Sequence, residues 1–289
     1  MRSTSGRADF FRNLFDVTKP VIGMIHLPAL PGSPQCDMDG GFETAWSRIQ
    51  SSVMTDAKAL AAGGVDGIMI ENFGDVPFFP GSNPPHVLSL MTSIAAMIRI
   101  ETGKRTGINV LRNDGISALA IALAAGASFV RVNVLSGARV TDQGVIQGVA
   151  HDIMRYRQQI GAGHIAVLAD VQVKHSTPLG AQAPLAQDVD DLCKRAMADG
   201  VIVSGSGTGK AVDLEALRAT KAAAGRHPVL IGSGATLDNL DEICRYADAL
   251  IVGTAFKRGG SVETPVEVAR VAAFMSAIAA IRSRGPRDG

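Results

Sequence analysis

Polar side chains able to do chemistry recur where short apolar runs of this sequence end. Carboxylates, histidines and a lysine stand there beside amides and an arginine. Burial next to other charges shifts the pKa values of such groups, which is what acid–base catalysis at neutral pH requires. The candidate catalytic residues are His26, Glu71, Asn109, Arg131, Asn133, Asp170, Lys174 and His175.

Spacing by two residues relates several of these candidates. In an extended strand Asp170, Gln172 and Lys174 would lie on one face, and Arg131 and Asn133 would share a face in the same way. A desolvated lysine is able to form a Schiff base with a carbonyl substrate, and Lys174 is the candidate. Asp170 would instead keep that lysine protonated, so an ion pair or a phosphate contact is the alternative role.

A metal site is a second use for the same residues. His26 and His175 could join Glu71 or Asp170 as ligands, because imidazole and carboxylate groups bind divalent ions. Two histidines on different strands are a weak metal signature, and hydrogen-bonded histidines are the alternative. We therefore assign no metal ligand, and no motif in the sequence requires a cofactor.

The glycine-rich stretch VSGSGTGKAV at 203–212 matches neither of two nucleotide-binding motifs. A Walker A loop reads GxxxxGK[ST], but Ser204 replaces its first glycine and Ala211 its magnesium-binding hydroxyl. The dinucleotide pattern GxGxxG fails because Lys210 stands at the sixth position. The sequence therefore argues against a nucleotide loop at this point.

A phosphate site built from strand-end loops is the third interpretation. The stretches IGSGAT at 231–236 and VGTAFKRGG at 252–260 end two later apolar runs, and glycine lets backbone N–H groups approach an anion closely. The alternative is that these glycines only form tight turns. We predict phosphate or sugar binding by Ser204, Gly205, Ser206, Gly207, Lys210, Gly232, Ser233, Gly234, Gly253 and Thr254.

The elements that must position these residues are eight apolar runs that alternate with helical patterns. Such alternation indicates a parallel α/β sheet, and eight units predict a (β/α)8 TIM barrel. A doubly wound sheet is the alternative, but its glycine-rich loop more often follows the first strand. The predicted strands lie at 21–26, 67–72, 107–111, 129–134, 165–173, 200–205, 229–234 and 249–256. The predicted helices lie at 42–62, 89–101, 116–125, 145–160, 187–198, 213–224, 237–246 and 265–282.

In a barrel of this kind, the carboxyl ends of the strands meet on one face, where active sites lie. The candidate residues would gather there. A structural polar network is the alternative, because buried charges need partners whether or not a ligand binds. We favour a binding site because the whole set clusters at one end, with Glu71, Asp170 and Lys174 as its acid–base candidates.

Two long loops would border that face, LPALPGSPQCDMDGG at 27–41 and FGDVPFFPGSNPPH at 73–86. Loops of this length are uncommon in a compact domain unless they are functional. They would form a lid over the barrel mouth or a subunit interface. Their phenylalanines would pack on a ligand ring or anchor the loops.

Composition limits the class of protein. The 289 residues are 46% hydrophobic and 4% aromatic with a net charge of +1, which argues against disorder and against nucleic acid as a partner. The apolar stretch at 266–281 contains Glu267 and Arg270 and is shorter than a membrane span, so we expect a helix packed on the protein, with peripheral membrane contact as the alternative. The three cysteines are sparse and form no CxxC pair, which fits a reduced, cytoplasmic compartment.

No low-complexity linker divides the chain. We predict an N-terminal extension at 1–17, which lacks the apolar core of a secretory signal, and a single barrel domain at 18–285. We also expect a homo-oligomer with no integral membrane segment.

Ordered motifs lie between residues 18 and 282, among them KPVIGMIHLPALPGSP, GINVLRNDGISALAIA, FVRVNVLSGARVTDQGVIQG, ADVQVKHSTPL and ADALIVGTAFKRGG. In these motifs the sequence resembles the BtpA/SgcQ family. The resemblance implies a TIM barrel related to the ribulose-phosphate-binding barrels. One family member is implicated in photosystem I biogenesis at cyanobacterial thylakoids, and another lies in a bacterial sugar-utilisation cluster.

The resemblance implies no catalytic assignment. Some family members carry the name phosphoribosylanthranilate isomerase. The reaction of that isomerase requires a cysteine as general base near the end of the first strand, where this sequence has His26. We predict a cytoplasmic enzyme that acts on a phosphorylated small molecule, a sugar phosphate or a nucleoside-like metabolite, by isomerase or aldolase/lyase chemistry. The alternative is a non-catalytic biogenesis or assembly factor for a membrane complex such as photosystem I.

Overall fold

The computed structural model describes residues 7–205 and 213–284. Within these ranges eight parallel strands close a barrel in the order β1-β11-β10-β9-β7-β4-β3-β2, and three further strands form a small sheet in the order β6-β5-β8. The strands are β1 Val21–His26, β2 Gly67–Glu71, β3 Arg105–Asn109, β4 Phe129–Val132, β5 Ala138–Thr141, β6 Gly144–Gln147, β7 Ala166–Asp170, β8 Thr177–Pro178, β9 Gly200–Val203, β10 Val229–Ile231 and β11 Ala249–Val252.

Helices connect the barrel strands and cover the outside of the barrel. They are α1 Arg7–Phe15, α2 Gly41–Gly63, α3 Pro85–Thr102, α4 Gly115–Ala125, α5 Ala150–Gln159, α6 Leu185–Asp190, α7 Leu214–Ala223, α8 Leu240–Ile243 and α9 Val268–Ser283. A π-helical turn, Asp191–Arg195, continues α6, and two 3₁₀ turns, Thr254–Phe256 and Arg258–Gly260, follow β11. The predicted (β/α)8 barrel is confirmed.

Several predicted elements were longer than the observed ones, and two of these differences affect the region around the candidate site. The fifth barrel strand ends at Asp170 rather than at 173, because Gln172 takes a left-handed backbone with φ of 49°. The predicted helix at 145–160 begins only at Ala150, because residues 138–147 form the antiparallel pair β5–β6. Gly144, with φ of 89°, supplies the left-handed residue for that hairpin.

Side-chain alternation along the strands divides the core into two clusters. One lies between the strands and the outer helices, including α9, whose Phe274 and Ile278 are buried in it. The other fills the barrel interior, where α1 contributes Phe11 and Phe15. The ring of Phe15 lies 5.7 Å from that of Phe129 at the start of β4, so α1 closes the amino-terminal end of the barrel.

Candidate active site

A polar layer crosses four adjacent strands at the other end of the barrel. His26 pairs in register with Glu71, Glu71 with Asn109, and Asn109 with Arg131. Residues in register on parallel strands point the same way, and residues two positions earlier, such as Met24, belong to the interior cluster. The strand periodicity therefore aims all four polar side chains into the mouth of the barrel.

Arg131 and Asp170 form the centre of this layer. The guanidinium donates from Nε at 3.0 Å and from Nη2 at 2.8 Å to the two carboxylate oxygens, a bidentate ion pair with both side chains at most 3% exposed. Asn133 donates to the same carboxylate at 2.8 Å, and Asn109 donates to the amide oxygen of Asn133 at 3.1 Å. Arg131 and Asn133 thus share a face, as their spacing predicts.

The neighbouring carboxylates keep the guanidinium of Arg131 charged in spite of its burial. Burial acts to lower the pKa of Arg131, but the charge and hydrogen bonds of Asp170 and the charge of Glu71 outweigh it and raise that pKa. The hydroxyl of Ser204 at the end of β9 lies 3.4 Å from both partners. Both carboxylate oxygens of Asp170 are therefore already hydrogen-bonded within this layer.

Glu71 is the buried carboxyl beside this network. It is 7% exposed and lines a cleft together with Arg131 and Lys174. Burial raises the pKa of Glu71, although the charges of Arg131, Lys174 and Arg112 partly offset that rise. A carboxyl group with a raised pKa is suited to exchange protons near neutral pH.

Lys174 reaches the cleft from a loop, not from a strand. Because β7 ends at Asp170 and Gln172 turns into the left-handed region, the predicted common face of Asp170, Gln172 and Lys174 does not form. Gln172 is exposed and donates to Asp188 at 2.9 Å. Burial lowers the pKa of Lys174, as do the charges of Arg131 and Arg112, while Glu71 and Asp170 act against the change.

The two candidate histidines have different surroundings. His26 lines the cleft, its ring packs edge-on against Phe73 with centroids 5.0 Å apart, and its Nδ1 has no hydrogen-bond partner among the described residues. Burial and the charges of Lys257, Lys174 and Arg131 lower the pKa of His26 from 6.5 to about 3, so the ring is neutral at physiological pH. His175 is exposed, with φ of 55°, and does not line the cleft.

Glycine-rich strand ends form the opposite wall of the cleft. The loop after β10 contributes Gly232, Ser233 and Gly234, and the loop after β11 contributes Gly253 and Thr254. A Cβ on Gly253 would lie 2.8 Å from Cε1 of His26, and a Cβ on Gly232 would lie 2.5 Å from Oγ of Ser204. At both positions a side chain would collide with these neighbours, so glycine is what allows the strand ends to pack this closely.

The predicted ligand loop after β9 is only partly within the described residues. Ser204 and Gly205 follow β9, whereas Ser206, Gly207 and Lys210 lie outside the described residues. The Oγ atom of Ser233 is buried and has no hydrogen-bond partner among the described residues. It is therefore a polar atom of the cleft wall that a bound ligand would satisfy.

The long loops after β1 and β2 hold one another in place. The N–H of Leu27 donates to the carbonyl of Glu71 at 2.8 Å, and the N–H of Leu30 donates to Asp75 at 2.8 Å. A Cβ on Gly74 would lie 2.3 Å from the backbone nitrogen of Ala29, so the loops are in close backbone contact. Phe73 packs on His26, whereas Phe79 is 50% exposed.

Several polar residues near strand ends bond to other parts of the fold and do not line the cleft. Asn72 accepts from the N–H of Leu111 at 2.7 Å, and Asp114 caps α4 by accepting from the N–H of Ser117 at 3.0 Å. Lys257 is buried in an ion pair with Asp56 at 2.6 Å, on α2 outside the barrel. Residue type alone did not separate these structural roles from cleft positions.

The sequence reasoning missed the apolar part of the lining. Met24, Val252, Ala235 and Ala255 also border the cleft. Met24 stands two residues before His26 on β1, so the strand period that aims His26 inward also aims Met24 inward. That spacing was a usable signal.

The structure also bears on metal and membrane binding. Within residues 7–205 and 213–284, no three or more His, Cys, Asp or Glu side chains are grouped so as to hold a metal ion. Over the same ranges, no helix combines the length and the apolar character needed to cross a membrane.

Known proteins resemble this chain at two levels. At the level of fold, the thiamine phosphate pyrophosphorylase from Pyrococcus furiosus superposes with a TM-score of 0.55 at 15% identity, covering 94% of this chain and 98% of that one. The phosphoribosyl anthranilate isomerase from Thermus thermophilus superposes with a TM-score of 0.52 at 14% identity, covering 91% of this chain and 100% of that one. At such identities the likeness concerns the barrel alone.

At the level of sequence the relationship is much closer. The photosystem I biogenesis protein BtpA of Synechocystis sp. is 45% identical over 271 residues, which cover 94% of this chain and 91% of that protein. A sequence model of the BtpA family matches residues 17–280. These two matches span nearly all of the barrel, and the chain therefore belongs to the BtpA family.

Proposed function

We propose that this protein is an enzyme that acts on a phosphorylated small molecule by acid–base chemistry at the carboxyl end of the barrel. The observation that carries the proposal is the cleft itself. One of its walls carries Glu71, Arg131, Lys174 and a neutral His26, and the other is made of glycine-rich strand ends.

The glycine-rich wall supports binding of a phosphate group. Gly232, Gly234 and Gly253 lie in that wall, and backbone N–H groups at the strand ends of a barrel are suited to bind an anion. The names of both structural neighbours contain a phosphorylated compound, which agrees with this assignment. A phosphate there would lie in the same cleft as Glu71 and Lys174.

The opposite wall supports proton transfer by Glu71. Asp170 is held by Arg131 and Asn133, so proton uptake by Asp170 would break a bidentate ion pair. Glu71 is not tied in this way, and burial raises its pKa. We assign Asp170 to positioning Arg131 and Glu71 to exchanging a proton with the substrate, with Lys174 as an electrostatic or nucleophilic contact. This division of roles fits isomerase or lyase chemistry.

The ligand assignment predicts a specific thermal stabilisation. Ribose 5-phosphate, used as a probe at about ten times its Kd, is expected to raise Tm by about 3 °C, whereas ribose at the same concentration leaves Tm unchanged. Gly253→Val should abolish the shift, because its side chain would occupy the space next to His26. Differential scanning fluorimetry measures both, with each variant compared with its own ligand-free sample.

A matched control separates blocking of the cleft from the cost of a β-branched residue. A Cβ on Gly163 would meet no other atom within 4 Å, so Gly163→Val should keep the full shift. Failure of ribose 5-phosphate, inorganic phosphate and a wider panel of sugar phosphates to stabilise the wild-type protein would contradict the phosphate assignment.

The catalytic assignment makes a separate prediction for any ligand that the protein turns over. Glu71→Gln preserves the shape of the side chain but removes the titrating group, so the thermal shift should persist while kcat falls at least about 100-fold. Asp188→Asn, in an exposed contact with Gln172, is the control and should leave kcat unchanged. Unchanged turnover in Glu71→Gln would remove Glu71 from the chemistry.

The identity to the Synechocystis protein favours a second candidate, a non-catalytic biogenesis factor for a membrane complex. In that case the barrel would serve as a binding scaffold, and the cellular role would survive loss of Glu71. Two results together would favour the scaffold over the enzyme. The Glu71→Gln variant would restore the function of a strain that lacks the protein, and no stabilising ligand would be turned over.

A further inference from the structure

Arg112 links two strand-end loops and has no part in the chemistry proposed above. It follows β3 and is 5% exposed. Its Nη2 donates to the backbone carbonyl of Lys174 at 2.7 Å, in the loop after β7. Because β4 lies between β3 and β7 in the barrel, the side chain passes over a neighbouring strand to reach this carbonyl.

The backbone that carries Arg112 is itself anchored. The N–H of Arg112 donates to the carbonyl of Phe79 at 2.9 Å, in the loop after β2. The N–H of the preceding Leu111 donates to the side chain of Asn72 at 2.7 Å. The guanidinium is therefore presented from a fixed base.

The segment that carries Lys174 lies between β7 and β8 and belongs to neither strand. β7 ends at Asp170, and both Gln172 and His175 have left-handed backbone conformations, with φ of 49° and 55°. Side chains hold the segment instead: Arg112 bonds to the carbonyl of Lys174, and Arg139 donates from Nε to the hydroxyl of Ser176 at 3.0 Å.

We propose that Arg112 is a positioning residue that holds Lys174 in the cleft. By fixing the carbonyl of Lys174, the guanidinium sets the direction in which the lysine side chain leaves its loop. The inference rests on the proposed function, in which Lys174 meets the ligand, and it adds a residue to that site which would act only through another.

The pKa of Lys174 provides a measurement that would not change if Arg112 only stabilised the fold. Burial and the charges of Arg131 and Arg112 lower the pKa of Lys174, and the carboxylates of Glu71 and Asp170 oppose this. Loss of Arg112 removes one cation and releases the segment towards solvent. Both effects raise the pKa of Lys174, so its amine becomes less reactive at a given pH below that pKa.

The experiment is competitive labelling of the full-length protein with acetic anhydride between pH 7 and 11, followed by peptide-resolved mass spectrometry. The exposed Lys58 on α2 serves as the internal standard. We expect Arg112→Met to raise the apparent pKa of Lys174 and to lower its labelling at pH 8 about threefold relative to Lys58. Arg99→Met removes a similar bond, from Nε to the carbonyl of Ala125 at 2.8 Å, and should leave the titration of Lys174 unchanged.

Conservative variants complete the test. Arg112→Lys keeps the charge and one donor, so its titration of Lys174 should fall between those of the wild type and Arg112→Met. Should Arg112→Met fail to fold, Arg112→Gln keeps a donor without the charge and serves in its place. A wild-type titration of Lys174 in folded Arg112→Met or Arg112→Gln would overturn the proposal. A shifted titration supports the positioning role even where no sugar phosphate stabilises the protein, a result that would contradict only the proposed function.

Discussion

Replacement of Arg131 by methionine is expected to lower the free energy of unfolding by about 3–5 kcal/mol. The reason is the charge that remains. Without Arg131, the buried carboxylate of Asp170 keeps Asn133, at 2.8 Å, and a distant hydroxyl of Ser204, at 3.4 Å, as partners. An ionised carboxylate in such a setting either remains at a high cost or takes up a proton. Urea denaturation at pH 7, followed by circular dichroism, measures the change.

Two comparisons show whether this loss comes from an unpaired buried charge. The exposed pair Arg48–Asp37, with side chains 47% and 64% accessible, is the first, and Arg48→Met should cost at most about 1 kcal/mol. The second is Arg131→Met combined with Asp170→Leu, which removes both charges and should be more stable than Arg131→Met alone. A double variant less stable than either single variant would show that the pair is itself strongly stabilising.

This prediction separates two roles that the sequence could not distinguish. Glu71 and Asp170 are both acids at strand ends, and that position made both of them acid–base candidates. Only the three-dimensional pairing shows that the two oxygens of Asp170 are bound by one guanidinium, while Glu71 faces the cleft. The ion pair joins side chains of β4 and β7, which are distant in the sequence. No pattern within a short stretch of sequence predicts such a contact.

The barrel itself was predictable because its signal is local and repeated. Most of the eight strands are short apolar runs, although β3 reads RTGIN, and alternation along β1 places Met24 and His26 on the inner side. Regular strands also predicted that Arg131 and Asn133 share a face.

The path of the chain beyond the strands was less predictable. Gln172 and His175 adopt left-handed backbones although neither is glycine, so no residue type marked the point at which β7 ends. The direction of Lys174 and its contact with Arg112 depend on that irregular path. Strand β6 of the hairpin was likewise predicted as the start of a helix, because the apolar residues of VIQG fit either period over so short a span.

The stability of the protein is expected to fall with acidification partly because of His26. Its pKa is lowered from 6.5 to about 3 by burial and by the charges of Lys257, Lys174 and Arg131. Between these two values the unfolded chain binds a proton at His26 that the folded protein does not bind. The group therefore contributes stability that is present above pH 6.5 and is lost as the pH falls towards 3, by up to about 1.4 kcal/mol per pH unit.

The free energy of unfolding, measured by urea denaturation, is expected to fall less between pH 7 and pH 4.5 in His26→Asn than in the wild type. Glu71 contributes with the opposite sign: its folded pKa is raised, so its contribution is fully present below its unfolded pKa and is lost as the pH rises through the folded value. Because Glu71 remains in both proteins, the difference between the two profiles isolates His26.

The exposed His164 provides the control, since His164→Asn should follow the wild-type profile. Parallel profiles for His26→Asn and the wild type would mean that His26 takes up its proton in the folded protein near pH 6.5, and the cleft would then hold a cationic imidazole in mildly acidic solution.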